Sequence, residues 1–207
     1  MSPPAHPVLT IGHSTHPLAT FVELLRMNAV TALADVRSAP HSRFNPHFNR
    51  ENLEKALVAH GIRYVFLGRE LGGRSDDPSC YRNGRVHYAL LAQTESFRAG
   101  IERVIRGAGE HRVALMCAEK EPLDCHRTLL VAPALTKARI LIEHILADGR
   151  VESHEAAMDR LLGLLGLLSK DLFRSKGQLI EEALIRQADR VAYVDDEVAS
   201  TEPRGPR

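Results

Sequence analysis

Val8-Leu9-Thr10-Ile11-Gly12 opens the ordered part of the chain, and His13-Ser14 follow at once. A short apolar run with no polar alternation predicts a strand buried on both faces. Pro17 suits the first turn of a helix, and Leu18, Phe21, Val22 and Leu25 fall on one face of it. A second apolar run covers residues 30–36 and closes in Asp35-Val36-Arg37. Asn49 then caps an element with Leu53, Ala56 and Leu57 inward and Gly61 as its terminator. Residues 62–67 read as a third strand. Phe97, Ile101, Val104 and Ile105 mark a helix that stops near Gly107, and residues 112–116 a fourth strand. Asp124 or Cys125 starts the next helix, which Pro133 is expected to kink or end. Residues 139–145 make a weaker fifth strand.

This alternation predicts an α/β fold over residues 8–150: an open, mostly parallel sheet of about five strands with helices on both faces. The pattern changes after Asp148-Gly149. Leu161, Leu164, Leu165, Leu168 and Leu172 fit one helical stripe, and Leu179, Ile180, Ala183, Leu184 and Val191 another. Residues 151–195 are therefore expected to form a C-terminal helical appendage, packed on the sheet domain or on a partner subunit in a homodimer. Residues 1–7 and 199–207 read as flexible tails.

The 207 residues are 44% hydrophobic and 26% charged, with a net charge of +1, so composition alone argues neither disorder nor nucleic-acid binding. No apolar run approaches the roughly 18 residues that span a bilayer. Three cysteines do not make a disulfide scaffold. A reducing, cytoplasmic setting with no membrane association is the expectation.

Ligands of open parallel sheets bind outside the carboxyl ends of the strands. There the sequence places His13, then Asp35 and Arg37, then Cys117 and Glu119, then Cys125, His126 and Arg127. Cys117 ends a strand and has a fixed position. Cys125 stands at a helix start, which favours thiolate and attracts anions, with Arg127 in the same turn. His126 or His13 would transfer protons. Glu119 would orient a histidine or activate water. Asp35 would act as a base or hold Arg37, since alternate residues of a strand point the same way. Arg37 and Arg127 would bind an anion, with Arg43 or Arg74 closing over it. Residues 37–50 also interleave Phe44 and Phe48 with arginines and histidines, a pattern that suits a single-stranded backbone with stacked bases. The polar stretch 68–84 reads as a long loop, with Tyr81, Arg82 and Arg85 as lid candidates. Cys117, Glu119, Cys125 and His126, completed by His13, are also possible metal ligands. The Cys-x7-Cys-His spacing is not a common zinc-finger spacing, and joint ligation by the adjacent Cys125 and His126 looks awkward, so no metal is assigned. His87 and His154 read as structural.

Several of these motifs resemble an uncharacterised family known as domain of unknown function 488. They are Thr10-Ile11-Gly12-His13-Ser14, Asp35-Val36-Arg37-Ser38-Ala39-Pro40, Gly61-Ile62-Arg63-Tyr64, Leu67-Gly68-Arg69-Glu70-Leu71-Gly72-Gly73, and Met116-Cys117-Ala118-Glu119 with Cys125-His126-Arg127. They keep one order over residues 8 to 150, and the segment after residue 155 is the least covered. The resemblance implies a shared fold and a shared polar site, and it supplies no reaction. Taken together, the residues favour a cysteine-dependent enzyme, a transferase or hydrolase, on an anionic and nucleotide-like substrate. The alternatives are a non-catalytic nucleic-acid-binding module and a metal-binding regulator. No cofactor follows from the sequence.

Overall fold

A computed structural model describes residues 6–167 and 174–195. In chain order the elements are β1 (Val8–Gly12), α1 (Leu18–Met27), β2 (Ala32–Asp35), α2 (Arg50–Val58), β3 (Arg63–Phe66), α3 (Gly68–Leu71), β4 (Tyr81–Arg82), β5 (Arg85–Val86), α4 (Tyr88–Leu91), α5 (Glu95–Ala108), β6 (Val113–Cys117), α6 (Ala132–Lys137), β7 (Ile142–Ile145), β8 (Val151–Ser153), α7 (His154–Leu164) and α8 (Lys176–Val191). Six strands form one sheet in the order β3-β2-β6-β1-β7-β8. All neighbours are parallel except the β7–β8 pair.

Side chains of a strand alternate between its faces, and the core divides accordingly. Leu9, Ile11, Leu33, Ala114 and Met116 pack under α1 and α2, with Phe21, Leu25, Leu53 and Leu57. Ala34, Val113, Leu115 and Cys117 pack under α5 and α6, with Phe97, Ile101, Val104 and Leu135. Helices thus cover both faces, as parallel strands require.

The sixth strand is the difference from the expectation of about five. β8 pairs antiparallel with β7 across a tight turn at Gly149, where φ is 86°. It has three residues and no buried side chain, so it carries no apolar signal. The stretch 68–84 is also more ordered than a loop. It holds α3, a short turn at Pro78–Cys80, and the hairpin of β4 and β5 around Asn83-Gly84. Both hairpin residues have positive φ, which the twist of a two-residue hairpin demands. Pro133 does not end its helix. A wide turn at Arg127–Val131 runs straight into α6, and Pro133 occupies its first turn, where a missing N–H costs nothing.

The C-terminal stripe is set differently from its expected register. Leu161 and Leu162 are buried, whereas Leu164 is 69% exposed, and Leu168 and Leu172 lie outside the described residues. The inward residues of α7 and α8 pack against Leu123 and Leu129. Gln187 of α8 donates to the Leu123 carbonyl at 3.1 Å and to Asp124 at 3.0 Å.

One polar chain crosses the core. Thr10 Oγ1 lies 2.8 Å from His144 Nδ1, and His144 Nε2 lies 3.1 Å from His154 Nδ1. Burial, then the neighbouring His154, pushes the His144 imidazole down to about 3. Unfolded histidine titrates near 6.5. Between those values the unfolded chain binds the extra proton, so stability falls as pH falls through this window. Urea unfolding should lose about 2 kcal/mol from this residue between pH 7 and pH 5. The loss should shrink in His144→Gln, and an undiminished pH slope in that variant would exclude His144 as its source.

Candidate functional site

β6 lies between β1 and β2, so three strands end side by side. Gly12 is in register with Cys117, and Asp35 with Met116. The pairing continues past the strands: His13 N–H donates to the Cys117 carbonyl and Ser14 N–H to that of Ala118, each at 2.9 Å. Val36 N–H donates to the Met116 carbonyl at 3.0 Å. The chain leaves these strands level, and a cleft of about 600 Å³ opens above them. His13, Arg37, Arg74, Cys117, Glu119 and His126 line it.

Cys117, Glu119 and His126, which line the cleft, converge with Cys125, which does not. Cys117 Sγ is 3.7 Å and Cys125 Sγ 3.9 Å from His126 Nδ1. Cys125 Sγ is 3.0 Å from Glu119 Oε2. Cys125 is extended (φ −136°, ψ 139°) and His126 helical (φ −60°, ψ −25°). That bend turns two adjacent side chains to the same side, which removes the awkwardness expected of the pair. On the far side of the ring, His126 Nε2 lies 2.9 Å from the Val36 carbonyl. A carbonyl can only accept, so Nε2 carries a proton, and it is Nδ1, bare whenever the ring is neutral, that faces the sulfurs. Gly73 packs flat on this ring; a Cβ there would come within 2.9 Å of it.

The two thiols differ. Burial, then the adjoining Cys125, pushes Cys117 up. Burial opposes the Cys125 thiolate too, but a hydrogen bond from Cys117 and the charges of Arg127 and His126 outweigh it and hold Cys125 well below the ordinary thiol range. Burial likewise opposes the His126 cation, and the negative charge of Cys125 overrides it, so His126 lies above its usual range. Burial of the Glu119 carboxyl and its contact with Cys125 raise it. Both thiols are buried, at 3% and 1% exposure, but Cys117 lines the cleft and Cys125 does not.

The remaining expected site residues separate into two groups. Arg37 and His13 line the cleft but are largely engaged. Asp35 is fully buried and accepts from Arg37 Nε at 2.9 Å, Arg37 Nη2 at 2.6 Å and the Tyr64 hydroxyl at 2.8 Å. It is a saturated acceptor, not a cleft base. Arg37 also donates to the Phe48 carbonyl at 2.9 Å and faces His13 Nε2 at 3.3 Å. His13 Nδ1 donates to the Ser14 carbonyl at 2.9 Å, and the ring stacks on Phe48 at 4.3 Å. Burial, joined by the Arg37 charge, lowers His13 to about 4, so it stays neutral. Arg127 does not reach the cleft. It is fully buried and donates to the carbonyls of Glu119 (2.7 Å) and Lys120 (3.4 Å), pinning the loop that carries Glu119. Arg43 is exposed and off the cleft wall. Phe48 is buried and only Phe44 of the expected aromatic pair is free to stack.

Arg74 does stand on the wall, its guanidinium 4.0 Å over the Tyr193 ring. Tyr193 arrives from the far end of the chain. Val86 N–H donates to its carbonyl at 3.0 Å, and Arg85 bridges Val194. Val191, Tyr193, Tyr88 and Asp124 complete the cleft. No spacing in the sequence joins these residues to the strand ends.

An α/β sheet with cysteines, a histidine and a carboxylate gathered at its topological switch is the class of protein these elements define. Residues 17–133 match the family described as "Domain of unknown function DUF488", and the chain belongs to it. Neither the curated proteins nor the solved structures hold a match to the chain.

Arg37 is 5% exposed and tied to Asp35 and Phe48. Arg37→Lys keeps the charge but cannot hold both Asp35 oxygens and the Phe48 carbonyl. It should lower the unfolding free energy by on the order of 1–3 kcal/mol in urea titration. An unchanged midpoint would show that these bonds do not hold the loop.

Proposed function

We propose that the protein is a thiol-dependent enzyme, a transferase or hydrolase, acting on a small anionic substrate. The observation that carries this reading is Cys117 Sγ on the cleft wall with an oriented imidazole nitrogen 3.7 Å away. A nucleophile, a base within reach and a third group that orients the base are the recurrent parts of covalent catalysis. Here the Val36 carbonyl is the orienting group.

In the proposed step the Cys117 proton passes to the Cys125–His126 pair, and Cys117 Sγ bonds to the electrophilic carbon or phosphorus of the substrate. The bond to the leaving group breaks, and the leaving group takes the proton. Water or a second substrate then releases the product from sulfur, with Glu119 at the rim as the group that accepts the incoming proton. Arg74 and Arg37, both on the cleft wall, favour a negatively charged substrate.

Alkylation tests both halves. Mass-resolved labelling of the folded protein should modify Cys117 ahead of Cys80 and Cys125: all three are buried, but of the three Cys117 alone lines the cleft. Iodoacetate should gain on iodoacetamide by about fivefold through a charge-assisted contact worth about 1 kcal/mol, and Arg74→Ala should remove most of that preference. Equal rates at all three cysteines would refute the nucleophile. Equal rates for the two reagents would refute the anion site.

A further inference from the structure

The four converging side chains also make a coordination shell. Cys117 Sγ, Glu119 carboxylate oxygen, Cys125 Sγ and His126 Nδ1 all lie within 4.8 Å of one another. Tetrahedral zinc, with bonds of about 2.3 Å to sulfur and about 2.0–2.2 Å to nitrogen or oxygen, sets donor–donor separations of about 3.6 Å. The separations of 3.0, 3.7 and 3.9 Å bracket that value. Small side-chain rotations would close four bonds.

Two features outside the four donors fit an ion. Ligating histidines donate their second nitrogen to a carbonyl or carboxylate, which fixes the tautomer. His126 Nε2 does this to Val36. Charge is the second. Arg127 is fully buried, one of its N–H groups has no partner, and among the described residues no carboxylate lies within ion-pair distance of it. A buried cation needs a nearby negative charge. Two thiolates and a carboxylate around a divalent ion leave one negative charge, which Arg127 balances. Arg127 also grips the Glu119 carbonyl, so it braces the shell it neutralises.

We propose that Cys117, Glu119, Cys125 and His126 bind one soft divalent ion of the zinc class, and that the bound ion switches off the thiol chemistry. Thiolate and imidazole donors select such an ion over magnesium or calcium. With both sulfurs ligated, the ion draws negative charge from the Cys117 thiolate and holds its sulfur inside a filled four-donor shell, so Cys117 attacks a substrate far more slowly in the metal-bound form than in the metal-free form. The switch rests on the thiol reading given above, whereas the metal site stands on its own geometry.

The test uses the full chain, reduced and stripped by a chelator. Zinc is titrated in against a chromophoric competitor, and cobalt(II) is added separately for its spectrum. One zinc per chain should bind, and cobalt should show thiolate charge transfer with the intense visible bands of a tetrahedral site. Glu119→Gln removes the carboxylate donor and should weaken zinc by at least about tenfold, the loss that even an outer-shell partner costs. Cys125→Ser should remove part of the charge-transfer intensity, and Cys80→Ser should change neither. Absence of stoichiometric zinc, or binding that survives Cys125→Ser and Glu119→Gln unchanged, overturns the metal site. Labelling of Cys117 by iodoacetate in each form separates the two claims. Labelling when stripped and protection when loaded supports the switch. Zinc binding with Cys117 inert in both forms overturns the switch and the thiol reading and leaves the metal site. Labelling with no zinc bound overturns the metal site and leaves the thiol reading.

Discussion

The hydrogen bond from His126 Nε2 to the Val36 carbonyl, 2.9 Å long, is the contact on which the site depends. It ties the end of β2 to the start of the wide turn at Arg127–Val131, across the cleft that the parallel strands leave open. It also decides which ring nitrogen is bare. Without it the imidazole could rotate, and the sulfurs would face a donor as readily as an acceptor. The bond holds because its frame is rigid on both sides. The ladder bond from Val36 to Met116 fixes the carbonyl, and Gly73 gives the ring a flat surface to lie on.

Close packing above the strands has a second consequence. The loop after β6 passes directly over β1, and a Cβ at Gly12 would fall 1.9 Å from the Glu119 carbonyl. Only glycine lets that carbonyl descend to meet Arg127. The same carbonyl is the first anchor of the loop that carries Glu119 to the two thiols. Gly12, Arg127 and Glu119 therefore act as one unit, although Gly12 precedes the matched family region and the other two lie near its end.

Much of this was legible in the sequence, because topology converts order into position. Parallel strands send their carboxyl ends to one edge, so His13, Arg37 and Cys117 could be grouped before any coordinates. What each residue does there was less legible. Arg127 and Arg37 read alike as anion-binding cations, yet one is buried against carbonyls and the other is locked to Asp35. The sign of a side chain's charge is written in sequence, but its direction comes from packing. The adjacent Cys125 and His126 read as awkward joint ligands, because the backbone bend between them is set by the turn that precedes them. Tyr193 and Val191 were invisible for a different reason. They come from a segment held by the β4–β5 hairpin through backbone bonds, which side-chain identity does not announce.

The chemistry rests on an oriented nitrogen, so the most direct measurement is the tautomer of His126. Long-range proton–nitrogen correlation spectra of the folded, metal-free protein, taken above the pH at which the ring becomes neutral, would report it. The account predicts a proton on Nε2 and a bare Nδ1, with the Nε2 signal shifted by the bond to Val36. A neutral ring protonated on Nδ1, turned with its lone pair away from Cys117 and Cys125, would contradict the account, because neither an oriented base nor a metal ligand would then face the sulfurs.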